Sequence, residues 1–294
     1  MVKKPSMSGI AVVGASSQIG QALLPRLASA GYAAYRIGRE NSNGFEGIAT
    51  YIFNESNRSF SPHLDSIDAV ISLAPLPIIE VVVNMAQSLG AKRIIAFGST
   101  GRFSKIGSSS TLEQDFVVQQ EQAEINFSRL CEANHIAWTL FRPTMIYGAN
   151  ADQSISFIMS IIRKFGFFVL PFGANGLRQP VHVNDLANAC VSVIARETTF
   201  NKAYNLGGGE IMNFTELVKK IFQALGKKPF LILIPIWLYS YLITLARIFP
   251  KAMFIRKEMV ERMFHDLTTD NRAVMTDFNY APQRFDLQRD ANSK

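Results

Sequence analysis

Residues 14–20 have the types and spacing of a loop that binds phosphate groups. Gly14 permits a tight turn, Gly20 lets the following helix lie close to its sheet, and the N-terminus of that helix offers free N–H groups to a diphosphate. Ser17 stands where many such loops carry a glycine, and its hydroxyl can donate to phosphate, as can that of Ser16. The alternative is an ordinary strand-to-helix turn, but the position after the first strand favours dinucleotide binding. The predicted binding residues are Gly14, Ser16, Ser17, Gln18, Ile19 and Gly20.

The end of the second predicted strand indicates which dinucleotide would bind. An acidic residue at this place hydrogen-bonds the ribose 2′-hydroxyl of NAD. In the segment 33–39 that place falls near Gly38, and Arg39 follows it. A guanidinium in place of a carboxylate favours a 2′-phosphate, so the sequence predicts NADP, with NAD as the less favoured alternative. The competing interpretation of Arg39 is a solvated surface arginine.

Composition and charge limit the classes of protein to consider. The chain has 294 residues, of which 48% are apolar and 18% charged, which excludes collagen-like and wholly disordered chains. Cys131 and Cys190 offer no disulfide framework, which favours a reducing compartment and hence the cytoplasm. The histidines are scattered without ligand spacing, so no metal site is expected. No zinc-finger or RNP-type motif is present, so nucleic acid is not an expected partner.

Short apolar runs alternate with longer amphipathic stretches through the first half of the chain. This alternation predicts an α/β fold, a Rossmann-type doubly wound parallel sheet with a smaller C-terminal substrate lobe. We expect the nucleotide-binding domain to comprise residues 1–150 and about 178–210, and the lobe about 151–177 and 211–294. The predicted strands are Ile10–Val13, Ala33–Ile37, Ile48–Phe53, Ala69–Leu73, Arg93–Phe97 and Ala137–Phe141. The predicted helices are Gln18–Ala30, Ile78–Leu89, Glu113–Asn134, Ser154–Lys164, Val183–Arg196 and Phe214–Leu225.

Residues 229–262 form an apolar and basic segment. The stretch from Pro229 to Ala246 contains no charged residue, but Pro235 and several hydroxyl-bearing side chains interrupt it. We interpret it as a strand or loop followed by a buried helix, with membrane contact as the alternative. The formal net charge of +7 is concentrated between Lys219 and Arg262. Such a region suits peripheral contact at the inner face of an anionic membrane, or attraction of a phosphorylated ligand.

Six segments follow one another in an order that is more specific than any of them alone. They are G-A-S-S-Q-I-G at 14–20, D-A-V-I-S-L-A at 68–74, K-R-I-I-A-F-G-S-T at 92–100, F-R-P-T-M-I-Y-G at 141–148, Q-P-V-H-V-N-D at 179–185 and Y-N-L-G at 204–207. Together they resemble the extended short-chain dehydrogenase/reductases, and most of all the NAD-dependent epimerase/dehydratase family, which acts on nucleotide sugars. The resemblance covers about residues 9–225.

The chain departs from this family at the pair of residues that transfers a proton. Family members carry Tyr-x-x-x-Lys on one helix, and the lysine lowers the tyrosine pKa so that the phenolate exchanges a proton as hydride moves. Counting back from Glu124, the tyrosine position falls on Phe116 and the lysine position on Gln120. Slippage of the alignment does not restore the pair, because no tyrosine lies between Tyr51 and Tyr147.

The resemblance also implies the remaining site residues. Thr100 matches the catalytic Ser/Thr that orients a substrate oxygen, with a strand-end hydroxyl bonded to backbone as the alternative. Candidate replacement acids or bases are Tyr147, Lys105 and His182, and each also has a purely structural interpretation. The residues implied to line the cofactor are Leu73, Ala74, Gln120, Pro143, Thr144 and Met145, and those implied to bind substrate are Arg178 and His182.

Two hypotheses about function follow. The first is an NAD(P)-dependent epimerase/dehydratase or reductase that acts on a nucleotide sugar or related polar substrate by hydride transfer, with non-standard proton transfer. The second is a catalytically inactive NADP(H)-binding sensor or assembly protein, associated with a membrane through residues 229–262. The resemblance also implies a homodimer formed through the predicted helices at 78–89 and 113–134.

Overall fold

Short runs rich in Val, Ile and Ala form the strands, because such side chains fill the two buried faces of a parallel sheet. The computed structural model describes residues 9–38, 50–54, 59–61, 64, 67–148, 153–246 and 257–287. The strands are β1 (Gly9–Val13), β2 (Ala33–Gly38), β3 (Thr50–Asn54), β4 (Ser59–Ser61), β5 (Ala69–Ser72), β6 (Arg93–Phe97), β7 (Ala137–Pro143), β8 (Ile146–Tyr147), β9 (Phe168–Pro171), β10 (Leu177–Arg178), β11 (Val181–His182), β12 (Lys202–Leu206), β13 (Met212–Asn213) and β14 (Leu231–Ile234).

Eight of these strands form the central sheet, in the order β12-β7-β6-β5-β1-β2-β3-β4. All neighbouring strands are parallel except β3 and β4, which are antiparallel. The order of the strands reverses between β1 and β5, so a crevice opens outside their carboxyl ends, where ligands bind in such folds. The predicted doubly wound fold is confirmed.

Helices cover both faces of the sheet. They are α1 (Gln18–Ser29), α2 (Ile79–Ser88), α3 (Gly101–Ser104), α4 (Thr111–Ala133), α5 (Gln153–Phe165), α6 (Val183–Val193), α7 (Phe214–Ala224), α8 (Ile236–Ala246), α9 (Lys257–Glu261) and α10 (Arg272–Phe278). On one face, α1 and α6 bury Leu23 and Leu186 in a common core. On the other face, α2 and α4 bury Val82 and Phe127.

A smaller unit is built from the pairs β8–β11, β9–β14 and β10–β13 together with α5 and α7. Its core contains Ile155, Ile158 and Ile162, spaced along one face of α5, and Leu217 and Ile221 from α7. Helix α10 packs instead into the core of the larger unit. We keep the division into two lobes as a proposal, with α10 placed in the larger one.

Most predicted boundaries lie within one or two residues of the structure. The largest difference is at α6, which ends at Val193 although a helix was expected to continue to Arg196. A third strand was expected at Ile48–Phe53 and is present as β3; residues 48 and 49 lie outside the described residues. The shortest strands and α3 were missed, because so few residues carry too little periodicity to indicate an element.

The expectation of a buried helix before Ala246 was wrong. A strand, β14, is followed by a helix, α8, but Trp237 is 70% exposed and Tyr241 59% exposed, whereas Tyr239 is buried. Helix α8 packs against β9 and α9, and these two elements leave several of its apolar side chains exposed. Among the residues that the structure describes, no helix combines the length and the apolar character needed to cross a bilayer.

The Glu124 carboxylate joins three elements at the carboxyl edge of the sheet. It lies on α4 and accepts hydrogen bonds from Arg142 of β7 at 2.9 and 2.7 Å, and it also pairs with Arg102 of α3. Because the carboxylate is buried, it depends on these two guanidiniums for its stabilisation. Gly98 leaves room for it, since a Cβ there would lie 3.2 Å from Glu124 Oε1.

Removal of the Glu124 charge is therefore expected to be costly. We expect Glu124→Gln to lower the free energy of unfolding by about 3–5 kcal/mol, because Arg142 is left buried without its counter-charge. The matched control is Glu121→Gln, which also removes a partner of Arg102 but at a half-exposed position, and should cost within about 0.5 kcal/mol. Urea denaturation of both variants measures the difference, and equal costs would contradict this account.

Candidate functional site

The turn after β1 lies against the end of β5. Gly14 has a φ of 74°, and a Cβ on it would lie 3.1 Å from the Leu73 carbonyl carbon and 3.2 Å from the Ala74 nitrogen. The backbone of Leu73 is also bonded to that of Val13 at 2.9 Å. The structure thus brings together two groups of residues that were predicted to line the cofactor, at the point where the strand order reverses.

The N-terminus of α1 follows this turn and is capped by Ser17. The Ser17 Oγ accepts a hydrogen bond from the Gly20 N–H at 3.2 Å, so its own O–H remains able to donate. A Cβ on Gly20 would lie 2.3 Å from the Ala15 carbonyl oxygen, which explains the need for glycine there. The first turn contains no acidic residue, so its positive end is not neutralised by a neighbouring side chain.

The other loop residues differ in what they present. Ser16 is exposed, whereas the side chain of Ile19 is buried in the core, so only its backbone N–H faces the loop. The Gln18 Oε1 atom is buried and has no hydrogen-bond partner among the described residues. A tight glycine turn and a helix N-terminus with no acidic residue in its first turn together fit the diphosphate of a dinucleotide. Arg39, which carries the prediction of NADP, lies outside the described residues.

The ends of β6 and β7 are held together where the resemblance places the reactive end of the cofactor. The Thr100 hydroxyl donates to the Pro143 carbonyl at 3.0 Å, as expected from the alternative interpretation of a strand-end hydroxyl. The Thr144 N–H donates to the Leu206 carbonyl at 2.9 Å, and the Met145 carbonyl accepts from Val181 at 2.8 Å. These bonds fix the backbone of residues 143–145 beside Thr100.

Phe116 occupies the position of the missing tyrosine on α4. A Cβ on Gly101, the residue after Thr100, would lie 3.3 Å from the Phe116 ring. The Lys105 ammonium lies 4.1 Å from the centroid of that ring. Gln120 is buried one turn further along α4, on the same face as Phe116 and Glu124. Phe116, Gln120 and Glu124 therefore share one face of α4, and Phe116 has no ionisable group.

A buried ion pair that the sequence did not indicate links α4 to the C-terminal region. Glu113 pairs with Arg262, and its Oε1 lies 3.7 Å from the Lys105 ammonium. Burial by itself raises the pKa of Glu113, but the hydrogen bonds from Ser108 and Arg262 and the charges of Arg262 and Lys105 outweigh burial and hold the pKa below its ordinary value. Neither Glu113 nor Arg262 belongs to a motif, so only the fold reveals their pairing.

Arg178 and His182, the predicted substrate residues, make mainly structural contacts. The Arg178 guanidinium donates to the carbonyls of Leu177, Arg262 and His265, and burial lowers its pKa to about 10, so it remains cationic at neutral pH. The His182 Nδ1 accepts from the Asn184 N–H at 3.1 Å and so caps α6.

Tyr147, one of the candidate acids, is fully buried. Its hydroxyl bonds to the backbone of Arg284 and Asp286, and its ring packs against Phe285. His182 is likewise committed to capping a helix. Of the three candidate replacements, Lys105 is the one that lies against Phe116. Among the described residues no cluster of His, Cys, Asp and Glu could hold a metal ion.

The doubly wound sheet, with a glycine turn and an open helix N-terminus at its reversal point, defines a dinucleotide-binding fold of the Rossmann type. The chain belongs to the NAD-dependent epimerase/dehydratase family, whose sequence model matches residues 10–207. The family resemblance noted in the sequence is thereby confirmed.

Individual relatives are distant. The chain is 25% identical to UDP-glucose 4-epimerase of Vibrio cholerae over 206 residues, which cover 64% of this chain and 58% of the relative. It is 24% identical to the chloroplastic divinyl chlorophyllide a 8-vinyl-reductase of Cucumis sativus over 269 residues, which cover 82% of this chain and 62% of the relative. The chain thus spans about three fifths of the length of the curated relatives it matches.

Solved structures show the same fold. MoeE5 in complex with UDP-glucuronic acid and NAD is 17% identical to this chain, with a TM-score of 0.68. The likeness covers 96% of this chain and 95% of that one. At this identity the comparison supports the architecture described above.

The lowered pKa of Glu113 predicts a pH-dependent contribution to stability. A carboxylate with a depressed pKa in the folded state stabilises the fold above its unfolded value of about 4.5, and this contribution is lost as the pH falls through the folded pKa. We expect the difference in unfolding free energy between the wild type and Glu113→Gln to be largest near neutral pH and to shrink below about pH 4.5. Chemical denaturation at a series of pH values, with Glu121→Gln as control, measures this. A difference that stays constant through the series would argue against the ion pair.

Proposed function

We propose that this protein binds NADP(H) and acts by hydride transfer on a nucleotide sugar or related polar substrate. The observation that carries the proposal is the contact of the Gly14 turn with Leu73 and Ala74, at the reversal of the sheet and beside the open N-terminus of α1. A bound nicotinamide dinucleotide supplies a carbon that accepts and returns hydride. The names of the relatives, an epimerase and a reductase, support this class of reaction.

Within this proposal, Thr100 positions the substrate. The Thr100 hydroxyl donates its proton to the Pro143 carbonyl. The lone pairs of the same oxygen remain able to accept a hydrogen bond, and in this proposal they accept one from a substrate hydroxyl. To donate to a substrate carbonyl, Thr100 must first leave Pro143. Arg178 and Arg262 supply positive charge on the lobe side, which favours a substrate with a diphosphate group.

Proton transfer is the step for which the usual residues are missing. Phe116 cannot exchange a proton, and Gln120 brings no charge to lower a neighbouring pKa. We propose Lys105 as the replacement, because its ammonium lies against the Phe116 ring and beside Glu113. Hydride transfer itself needs only a correctly held cofactor and substrate.

A second candidate is a non-catalytic NADP(H)-binding protein that serves as a sensor or an assembly subunit. The observation in its favour is the loss of both members of the proton-transfer pair while the scaffold around them is retained. The Rossmann-type fold by itself does not distinguish the two candidates.

We also propose a homodimer and a cytoplasmic setting. Val118 and Ile125 are exposed apolar residues seven positions apart on α4, so they share a face that suits contact between two copies. Cys131 and Cys190 are buried free thiols, and burial raises the pKa of Cys131 to about 12. Buried thiols with raised pKa values suit a structural role in a reducing compartment.

The choice of dinucleotide is testable in solution. We expect the protein to bind NADPH more tightly than NADH, and Arg39→Ala to weaken NADPH binding by about tenfold or more while leaving NADH binding unchanged, because a charge-assisted bond to phosphate is removed. Titration calorimetry measures both affinities, with Arg129→Ala, an exposed arginine on α4, as control. Equal affinities for the two dinucleotides in the wild type would overturn the assignment of NADP.

Isotope exchange at C4 of the nicotinamide, measured across a panel of nucleotide sugars, separates the enzyme from the non-catalytic protein. If the chain is an enzyme, exchange is expected to be lost in Thr100→Val, retained in Phe116→Ala, and reduced at least about a hundredfold in Lys105→Met. Lys105→Arg, which keeps the charge but not a transferable proton, should resemble Lys105→Met. Tight dinucleotide binding without exchange for any sugar would favour the second candidate instead.

A further inference from the structure

A group of aromatic residues is exposed on the smaller lobe. Phe165 at the end of α5, Phe172 after β9 and Phe230 before β14 are 54%, 57% and 59% exposed. The ring centroids of Phe165 and Phe167 are 6.0 Å apart, and those of Phe167 and Phe230 are 6.3 Å apart. Phe165, Phe167 and Phe230 thus form one aromatic group, whereas Phe172 lies at the other end of the parallel pair β9–β14. Single exposed apolar residues are ordinary, whereas several exposed rings on one lobe mark a surface that meets a partner.

Helix α8 extends this group. Trp237, Tyr241 and Leu245 follow one another at every fourth residue and so share a face, and they are 70%, 59% and 42% exposed. Helix α8 begins two residues after β14 and packs against β9, so it starts at the end of these strands that carries Phe172, whose N–H is bonded to the Ile234 carbonyl. We call these six residues, from Phe165 to Leu245, the aromatic patch.

The length of α8 limits how the helix can interact with a lipid bilayer. Its 11 residues extend about 16 Å, whereas the hydrocarbon core of a bilayer is about 30 Å thick. Over its described residues the helix is shorter than this core and has the dimensions of one that lies in the interface. Tryptophan and tyrosine, which it exposes, are the residues enriched at that depth because they combine an apolar ring with a polar group.

The charge around the aromatic patch is predominantly positive. Residues 153–184 and 217–257 contain no Asp or Glu, although α9, which packs against α8, carries Glu258 and Glu261. Arg163 and Lys164 lie at the end of α5, and the Lys164 ammonium is 5.0 Å from the centroid of the Phe165 ring. Lys227 donates to the carbonyls of Ile162 and Arg163 at 2.9 and 3.1 Å, so the basic residues preceding Phe230 lie beside those preceding Phe165.

We propose that the aromatic patch binds the surface of an anionic lipid bilayer, with α8 lying in the interface. Apolar rings enter the headgroup region while Arg163, Lys164, Lys227 and Lys228 contact the anionic headgroups. A second copy of the chain is a poorer occupant, because two such faces would oppose like charges. The inference does not depend on the nucleotide site, and its test uses no nucleotide.

Flotation of the full-length protein with lipid vesicles tests the proposal. At low salt the protein is expected to float with vesicles that contain phosphatidylglycerol and to remain behind with vesicles of phosphatidylcholine alone, and high salt should release it. The fluorescence of Trp237 should shift to shorter wavelength on binding. Trp237→Phe should lose this shift but still bind, because it keeps an apolar ring.

Two pairs of variants separate the patch from general surface effects. The double variant Trp237→Glu/Tyr241→Glu should reduce vesicle partitioning at least about tenfold, since it removes apolar contact and adds repulsion. Met275→Glu, at an apolar position on α10 that is 55% exposed, should leave partitioning unchanged. Lys228→Glu should weaken binding to the vesicles, whereas Arg129→Glu should leave it unchanged. Thermal unfolding of each variant confirms that it is folded.

Three results would overturn the proposal. The first is the absence of flotation with phosphatidylglycerol vesicles at low salt. The second is flotation that the double variant does not reduce. The third is a protein that does not float but changes from oligomer to monomer in the double variant by sedimentation, since the patch would then be covered by a second copy. If the wild type does not bind NADPH, the proposed function is contradicted, but the result of the flotation test is unaffected.

Discussion

The close approach of the Gly14 turn to the end of β5 is the constraint on which the rest of the site depends. With a φ of 74° and the Leu73 carbonyl carbon 3.1 Å from where a Cβ would be, this position excludes larger residues on both backbone and steric grounds. The turn sends α1 away from the sheet so that its positive end faces the crevice between β1 and β5. Gly20, in close contact with Ala15, keeps the positive N-terminus of α1 close to this crevice.

The other half of the site combines ordered packing around Phe116 with the absence of an ionisable group at that position. Phenylalanine has the shape of tyrosine without its hydroxyl, so Phe116 keeps the packing of α4 against Gly101 while removing the ionisable group. The buried Glu124 carboxylate also pairs with the partly buried Arg142, which joins α4 to β7. Ion pairs of this kind are not strongly stabilising compared with apolar contacts, so the pair contributes to the position of α4 more than to stability. The Lys105 ammonium, which lies over the Phe116 ring, is an ionisable group at this position.

The sequence predicted those parts of the structure that local pattern determines. The doubly wound sheet followed from alternating apolar runs, and the loop from Gly14 to Gly20 followed from residue types at one turn. The pairing of Glu113 with Arg262 was not predictable, because the partners are distant in the chain and belong to no motif. The exposure of α8 was also missed, since an apolar pattern shows that a helix avoids water but not whether the fold supplies a surface to cover it.

The position of the C-terminal region connects the exposed helix to the candidate site. Helix α9 begins at Lys257, and the turn that follows carries Arg262 to Glu113 and offers its carbonyl to Arg178. Helix α9 also packs against α8. The exposed helix is therefore joined to α4 through two buried contacts, the pair of Glu113 with Arg262 and the bonds by which Arg178 holds the turn from Arg262 to His265. These contacts fix the C-terminal region against the helix that carries Phe116.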